Sequence, residues 1–147
     1  MATVNVRRVV WGGLAGGVAW VLWATIVNFS LLMPRYVVTQ HAGLMYERSR
    51  YPFFPLVWAG QFLIFGVLIA ALYAGVRATW GPGPLTAIKV GVIFGLAAGF
   101  SVNFYISAWF PITRYIPAGW VLELFGGSIL AALIAGAIYR QRDSSPA

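Results

Sequence analysis

Four apolar runs, each long enough to cross a bilayer, dominate this chain and leave room for little else. They cover about residues 9–33, 53–76, 85–110 and 118–139. A helix crossing the hydrocarbon layer needs about 20 apolar residues. Four of these with their connections use nearly all of the 147 positions, and no soluble domain is left over. Backbone polar groups in lipid must be paired within a helix or around a closed barrel, and these runs are far longer than the alternating strands of about ten residues that build a membrane barrel. The expectation is an all-α membrane protein, a single transmembrane domain over residues 1–147 folded as a four-transmembrane-helix bundle. Composition agrees, because 61% hydrophobic and 9% charged residues leave too little polar surface to coat a soluble globule.

The first run, Val9 to Met33, follows Arg7 and Arg8 and has the outline of a signal peptide. Its apolar stretch is too long for a signal core, and MPRYVV follows without a small-x-small cleavage site, so it is expected to stay in the mature protein. Residues 34–52 then form the longest loop, in which Val37, His41, Leu44 and Arg48 have the spacing of a short helix lying on the membrane surface. Gly81-Pro82-Gly83-Pro84 cannot continue a helix, which makes the second and third spans antiparallel neighbours. Residues 141–147 read as a disordered tail.

Basic residues divide unevenly between the two sides. Arg7, Arg8, Arg77, Lys89, Arg140 and Arg142 lie on the side of the termini, against Arg35, Arg48, Arg50 and Arg114 on the other. The positive-inside rule therefore places both the N and C termini in the cytoplasm, with the chain spanning a bacterial inner (plasma) membrane. Trp11 and Trp80 on one side, and Trp109, Tyr115 and Trp120 on the other, fall where interfacial aromatic belts form.

Much chemistry is excluded by what the chain lacks. Without cysteine there is no disulfide, thiolate metal site, iron–sulfur cluster or cysteine nucleophile. His41 is the single histidine, too few for a bis-histidine haem or a conventional zinc site, so no metal is expected. No phosphate-binding or dinucleotide glycine loop occurs, because the glycines lie inside apolar runs. The net charge of +7 is scattered at the ends of the spans, where it meets anionic lipid headgroups, and forms no basic stripe for nucleic acid.

Small residues mark the packing faces. Gly91, Gly95 and Gly99 recur every four residues on the third span, as do Gly12/Gly16 and Gly13/Gly17 on the first. The fourth span offers Gly127, Ala131 and Ala135 beside Gly126 and Gly136. Such spacing lets helix backbones approach closely. The seams are explained by one compact bundle, or else by a seam that docks onto another subunit, since four helices are not expected to bury every one of them among themselves.

Polar residues inside the spans are fewer and more telling. Asn28, Gln61, Asn103 and Glu123 each lie about five to nine residues from the outer end of a different span, hence at similar depth. An intramembrane carboxylate is costly unless paired or turned into the bundle, so Glu123 is the leading candidate for a functional group. The bland alternative is a set of interhelical hydrogen bonds, with Glu123 paired to Arg35 or Arg114. Trp20 and Trp23 sit near the middle of the first span, where they fill gaps or face lipid, or else pack a flat cofactor such as a quinone, carotenoid or chlorophyll. Nothing in the sequence selects a cofactor.

Two functional readings follow. The first, favoured on sequence, is a non-catalytic accessory or assembly subunit that docks its seams and aromatic faces onto other membrane protein subunits of a redox or photosynthetic complex. The second is a small homo-oligomeric transporter or lipid- or quinone-binding protein with a polar site around Glu123.

Overall fold

The computed structural model describes residues 4–139. Four helices are long and apolar enough to cross a membrane, the layout of a multi-pass membrane protein: α1 (Val6–His41), α2 (Phe54–Trp80), α3 (Pro84–Trp109) and α4 (Tyr115–Ile138). No strand occurs among the described residues. The tail at 141–147 lies outside them.

The helix ends follow from local chemistry. Asn5 caps α1 by accepting the Arg8 N–H at 3.2 Å. Pro55, Pro84 and Pro117 each stand in the first turn of their helix, where a missing N–H costs nothing. The α2–α3 turn needs two glycines with positive φ, Gly81 at 83° and Gly83 at 133°.

One boundary departs from expectation. The first helix continues past Met33 and Pro34 to His41, so residues 34–41 are helix rather than loop, and the turns at 42–53 hold no helix at Leu44 or Arg48. A proline inside a helix removes a hydrogen bond and clashes with the preceding turn. Here a π-turn at Asn28–Leu32 interrupts the ladder just before it, and Pro34 falls in the first turn of the α-helix that resumes at Met33. A second π-turn, Leu96–Phe100, interrupts α3.

The π-turns set which residues share a face. An α-helix rotates about 100° per residue, so residues eight apart stand about 80° out of line. One inserted residue makes eight behave as seven, which brings them to within about 20°. Across the first π-turn this aligns Asn28 with Tyr36, and across the second it aligns Gly95 with Asn103.

Helix α4 packs against all three others, while α1 and α3 flank the α2–α4 pair on opposite sides. The small-residue seams serve one compact bundle, and none of those named is left over for another subunit. A Cβ on Gly17 would come within 2.7 Å of the Leu63 Cα on α2, and one on Gly16 within 2.7 Å of the Ala131 carbonyl on α4. Gly12 meets Ala135, Gly91 and Gly95 meet α4 at Ile129 and Phe125, and Gly99 meets Leu124. The physical reason is that α1 carries two seams on adjacent faces, one for α2 and one for α4, and α4 sits centrally enough to receive both α1 and α3. Gly127 serves a different purpose from backbone contact, because the Trp20 indole lies where its Cβ would be.

Trp20 is the centre of the core. It is fully buried, with the rings of Phe62 at 5.3 Å, Phe65 at 5.8 Å and Phe94 at 6.1 Å, and it spans the gap between α1 and α3.

Candidate functional site

The polar site lies in the half of the bundle remote from the termini and is assembled around Glu123. The carboxylate is 4% exposed. One oxygen accepts the Asn28 Nδ2–H at 2.8 Å and the other accepts the Trp58 Nε1–H at 3.2 Å. Three helices therefore meet on one carboxyl group, with α1 and α2 donating to α4. Neither arginine proposed from sequence is its partner: Arg35 lies over the Tyr115 ring, 4.8 Å from its centroid, and Arg114 lines a separate groove.

Asn28 extends the chain of bonds. Its Nδ2 also donates to the Ala24 carbonyl at 2.9 Å, and its Oδ1 accepts the Tyr36 hydroxyl at 2.8 Å. The Tyr36 oxygen in turn accepts the Trp120 Nε1–H at 2.7 Å. This last step depends on the first π-turn, because a regular helix would carry Tyr36 a quarter turn away from Asn28. Interhelical hydrogen bonds in membranes average about 0.6 kcal/mol each, so this relay fixes relative helix position as well as contributing stability.

The other residues singled out from sequence are placed as follows. Gln61 is half-buried one residue before Phe62, and its amide makes no side-chain hydrogen bond among the described residues. Asn103 is buried but turned to its own helix, donating to the Gly99 carbonyl at 2.7 Å. Trp20 and Trp23 donate to successive carbonyls of α4, those of Glu123 at 3.0 Å and Leu122 at 3.2 Å, and their indoles lie against Gly127 and Gly126. With Phe62, Phe65 and Phe94 around it, the Trp20 indole leaves no face for a flat cofactor. Sequence reasoning missed Trp58, Tyr36 and Trp120. Trp58 was detectable in principle, since its indole donor lies one turn from Gln61 at nearly the same depth.

As a chemical object the Glu123 site is closed. Its donors come from the chain itself, and no group of three or more His, Cys, Asp or Glu gathers among the described residues to hold a metal. It can lock helices or hold a single proton or cation; it offers no nucleophile paired with a base.

A second site in the same half of the bundle is open. Beyond the π-turn at Leu96–Phe100, α3 buries Asn103 alone of its last nine residues. The space left between α3 and the first turns of α4 is a lateral groove of about 420 Å³, lined by Phe100, Asn103, Phe104, Ser107, Arg114 and Val121 among others. The Asn103 Oδ1 takes no donor among the described residues, and Tyr115, which lines the groove, carries Arg35 on its ring. One guanidinium, that of Arg114, thus lines an apolar slot, and that of Arg35 stands on the ring of the adjoining Tyr115. Compared with protein-family models, with curated proteins and with solved structures, the chain finds no match, so what it does has to be argued from these two sites.

Proposed function

We propose that this chain is a non-catalytic binding protein of the membrane that holds one phosphate-headed lipid in the groove between α3 and α4. The observation that carries the reading is the combination of an apolar slot of about 420 Å³ lined by Arg114 with Arg35 over the adjoining Tyr115. An acyl or prenyl chain fills the slot. Arg114 meets the phosphate by charge-assisted hydrogen bonds, which are about twice as strong as neutral ones. On the positive-inside count the groove faces the outer leaflet of a bacterial plasma membrane, with both termini cytoplasmic. The Glu123 relay then has a structural task, since it braces α1, α2 and α4 while α3 alone stands off.

The test is native mass spectrometry of protein extracted gently from its own membrane, comparing the wild type with Ala118→Trp, which fills the groove from its exposed rim, and Arg114→Gln. The wild type is expected to retain one lipid per chain, Ala118→Trp to lose it, and Arg114→Gln to hold it roughly ten-fold to a hundred-fold more weakly, the worth of one hydrogen bond to a charged group. Equal retention in all three rejects the reading.

A second reading is supported by the outward face of the same helix segment. The stacked pair Phe100/Phe104, 5.6 Å between centroids, and the pair Tyr105/Trp109 are exposed on α3. In an accessory or assembly subunit this aromatic face, rather than a glycine seam, would dock on a partner. Arrival of the protein with larger, different subunits in the same spectra supports that alternative.

A further inference from the structure

At the opposite end of the bundle, beside the termini, the α2–α3 turn and the last turns of α4 enclose a cavity of about 300 Å³. At roughly 30 Å³ per water this is the space of about ten water molecules. The Arg77 Nη1 is buried there and has no hydrogen-bond partner among the described residues. Its guanidinium lies over the Tyr139 ring, 5.1 Å from the centroid. Two tyrosines line the same space with their protons unspent. Tyr73 Oη accepts the Gly83 N–H at 3.1 Å, and Tyr139 Oη accepts the Asn5 N–H at 3.3 Å. Each hydroxyl has therefore used a lone pair and can still donate.

A buried donor without an acceptor costs free energy, and here the Arg77 Nη1 is such a donor, in a cavity that two phenols also line. Among the described residues no carboxylate lines the cavity. Pro82 and Pro84 supply no N–H, and that of Gly83 is already taken, so the recognition set is wholly side-chain donors of net positive charge. We propose that this cavity is a binding site for a phosphate-class oxyanion, held by Arg77 with the hydroxyls of Tyr73 and Tyr139. The phosphate is either that of a lipid headgroup in the adjoining leaflet or a free anion from the aqueous side. The inference is independent of the α3–α4 groove, which lies at the other end of the molecule.

The experiment uses the full chain, delipidated in neutral detergent, with two probes: inorganic phosphate, followed by the rise in unfolding temperature with concentration, and phosphatidylglycerol, followed by native mass spectrometry. The variants are Arg77→Met, which keeps the apolar stem, and Tyr73→Phe, which removes one donor and leaves the ring. Saturable stabilisation by phosphate, weakened at least ten-fold in Arg77→Met and several-fold in Tyr73→Phe, supports the site with a free anion as its source. Retention of one phosphatidylglycerol that both variants weaken, without a phosphate effect, supports it with the lipid as its source. Should Arg77→Met fail to fold, Tyr73→Phe carries the same comparison. Binding that neither substitution changes, or no binding of either probe, overturns the proposal.

Discussion

Replacing Gly127 with alanine is the sharpest perturbation of this bundle, because the added methyl falls inside the Trp20 indole. The ring has nowhere to retreat. It is fully buried, touches Phe62, Phe65 and Phe94, and is tied to the Glu123 carbonyl at 3.0 Å. Overpacking a core costs about 1–3 kcal/mol, and expelling the indole altogether approaches the roughly 3–5 kcal/mol of a buried Trp→Ala truncation. We expect Gly127→Ala to destabilise the protein by about 3–4 kcal/mol. In a Trp20→Ala background the methyl enters vacated space, and the better helix propensity of alanine makes the same change neutral or favourable by up to about 1 kcal/mol. The double-mutant coupling is therefore at least about 3 kcal/mol, the top of the range for residues in contact. Unfolding by sodium dodecyl sulfate in mixed micelles, followed by helical circular dichroism so that loss of a tryptophan does not distort the signal, measures all four corners of the cycle. Pairing Gly127→Ala with Trp23→Ala is the control, since Trp23 packs on Gly126. Additivity within about 0.5 kcal/mol in the Trp20 cycle refutes the placement of the indole.

Glu123→Gln keeps one acceptor oxygen for either Asn28 or Trp58 but presents an NH2 to the other, so it should cost about 1–2 kcal/mol in the same unfolding assay and leave lipid retention in the groove unchanged; loss of lipid from a folded Glu123→Gln protein would return the functional role to that carboxyl. Deleting Ser30 removes the inserted residue and rotates the rest of α1 by about 100°, swinging Leu32 off Gly119 and Tyr36 off Asn28. A loss of at least about 2 kcal/mol is expected, on the scale of one buried leucine, and a change below about 1 kcal/mol would show that the π-turn does not set the register.

The spans were legible because hydropathy alone enforces them: backbone polar groups in lipid leave helix as the answer once the runs exceed about 20 residues. Residues 34–41 were misread because Pro34 and the polar string after it carry the marks of a loop, and nothing in the letters NFSLL announces a π-turn that lets the helix resume. The seams were legible as seams, but their destinations were not. A four-residue glycine spacing states that something approaches closely without stating whether it is a neighbouring backbone, as at Gly16, or an indole, as at Gly127. Depth counting placed Asn28 and Glu123 at one level and the structure joins them, yet the same count put Gln61 and Asn103 there too. Depth fixes only one coordinate; rotation about the helix axis fixes the other, and the π-turns alter that rotation by about 100°.

The two π-turns lie in the same half of the bundle and have opposite consequences, and the residues after each explain why. From the last residue of the first onward come Leu32, Tyr36 and Thr39, facing α4 or their own helix, and Leu32 and Tyr36 draw α1 against Gly119 and Trp120. After the second, Asn103 alone turns inward, the next inward positions are served by Ser107, and the facing wall of α4 offers Ala118. Ser107 and Ala118 are too small to close the distance that the π-turn has opened, and the large Tyr105 and Trp109 do not line the groove. The groove is thus written into the sequence as a shortage of bulk between α3 and α4 at the depth where α1 has a surplus. In the proposed reading a lipid chain supplies that missing apolar volume, which is why filling the groove with Ala118→Trp is expected to remove the lipid.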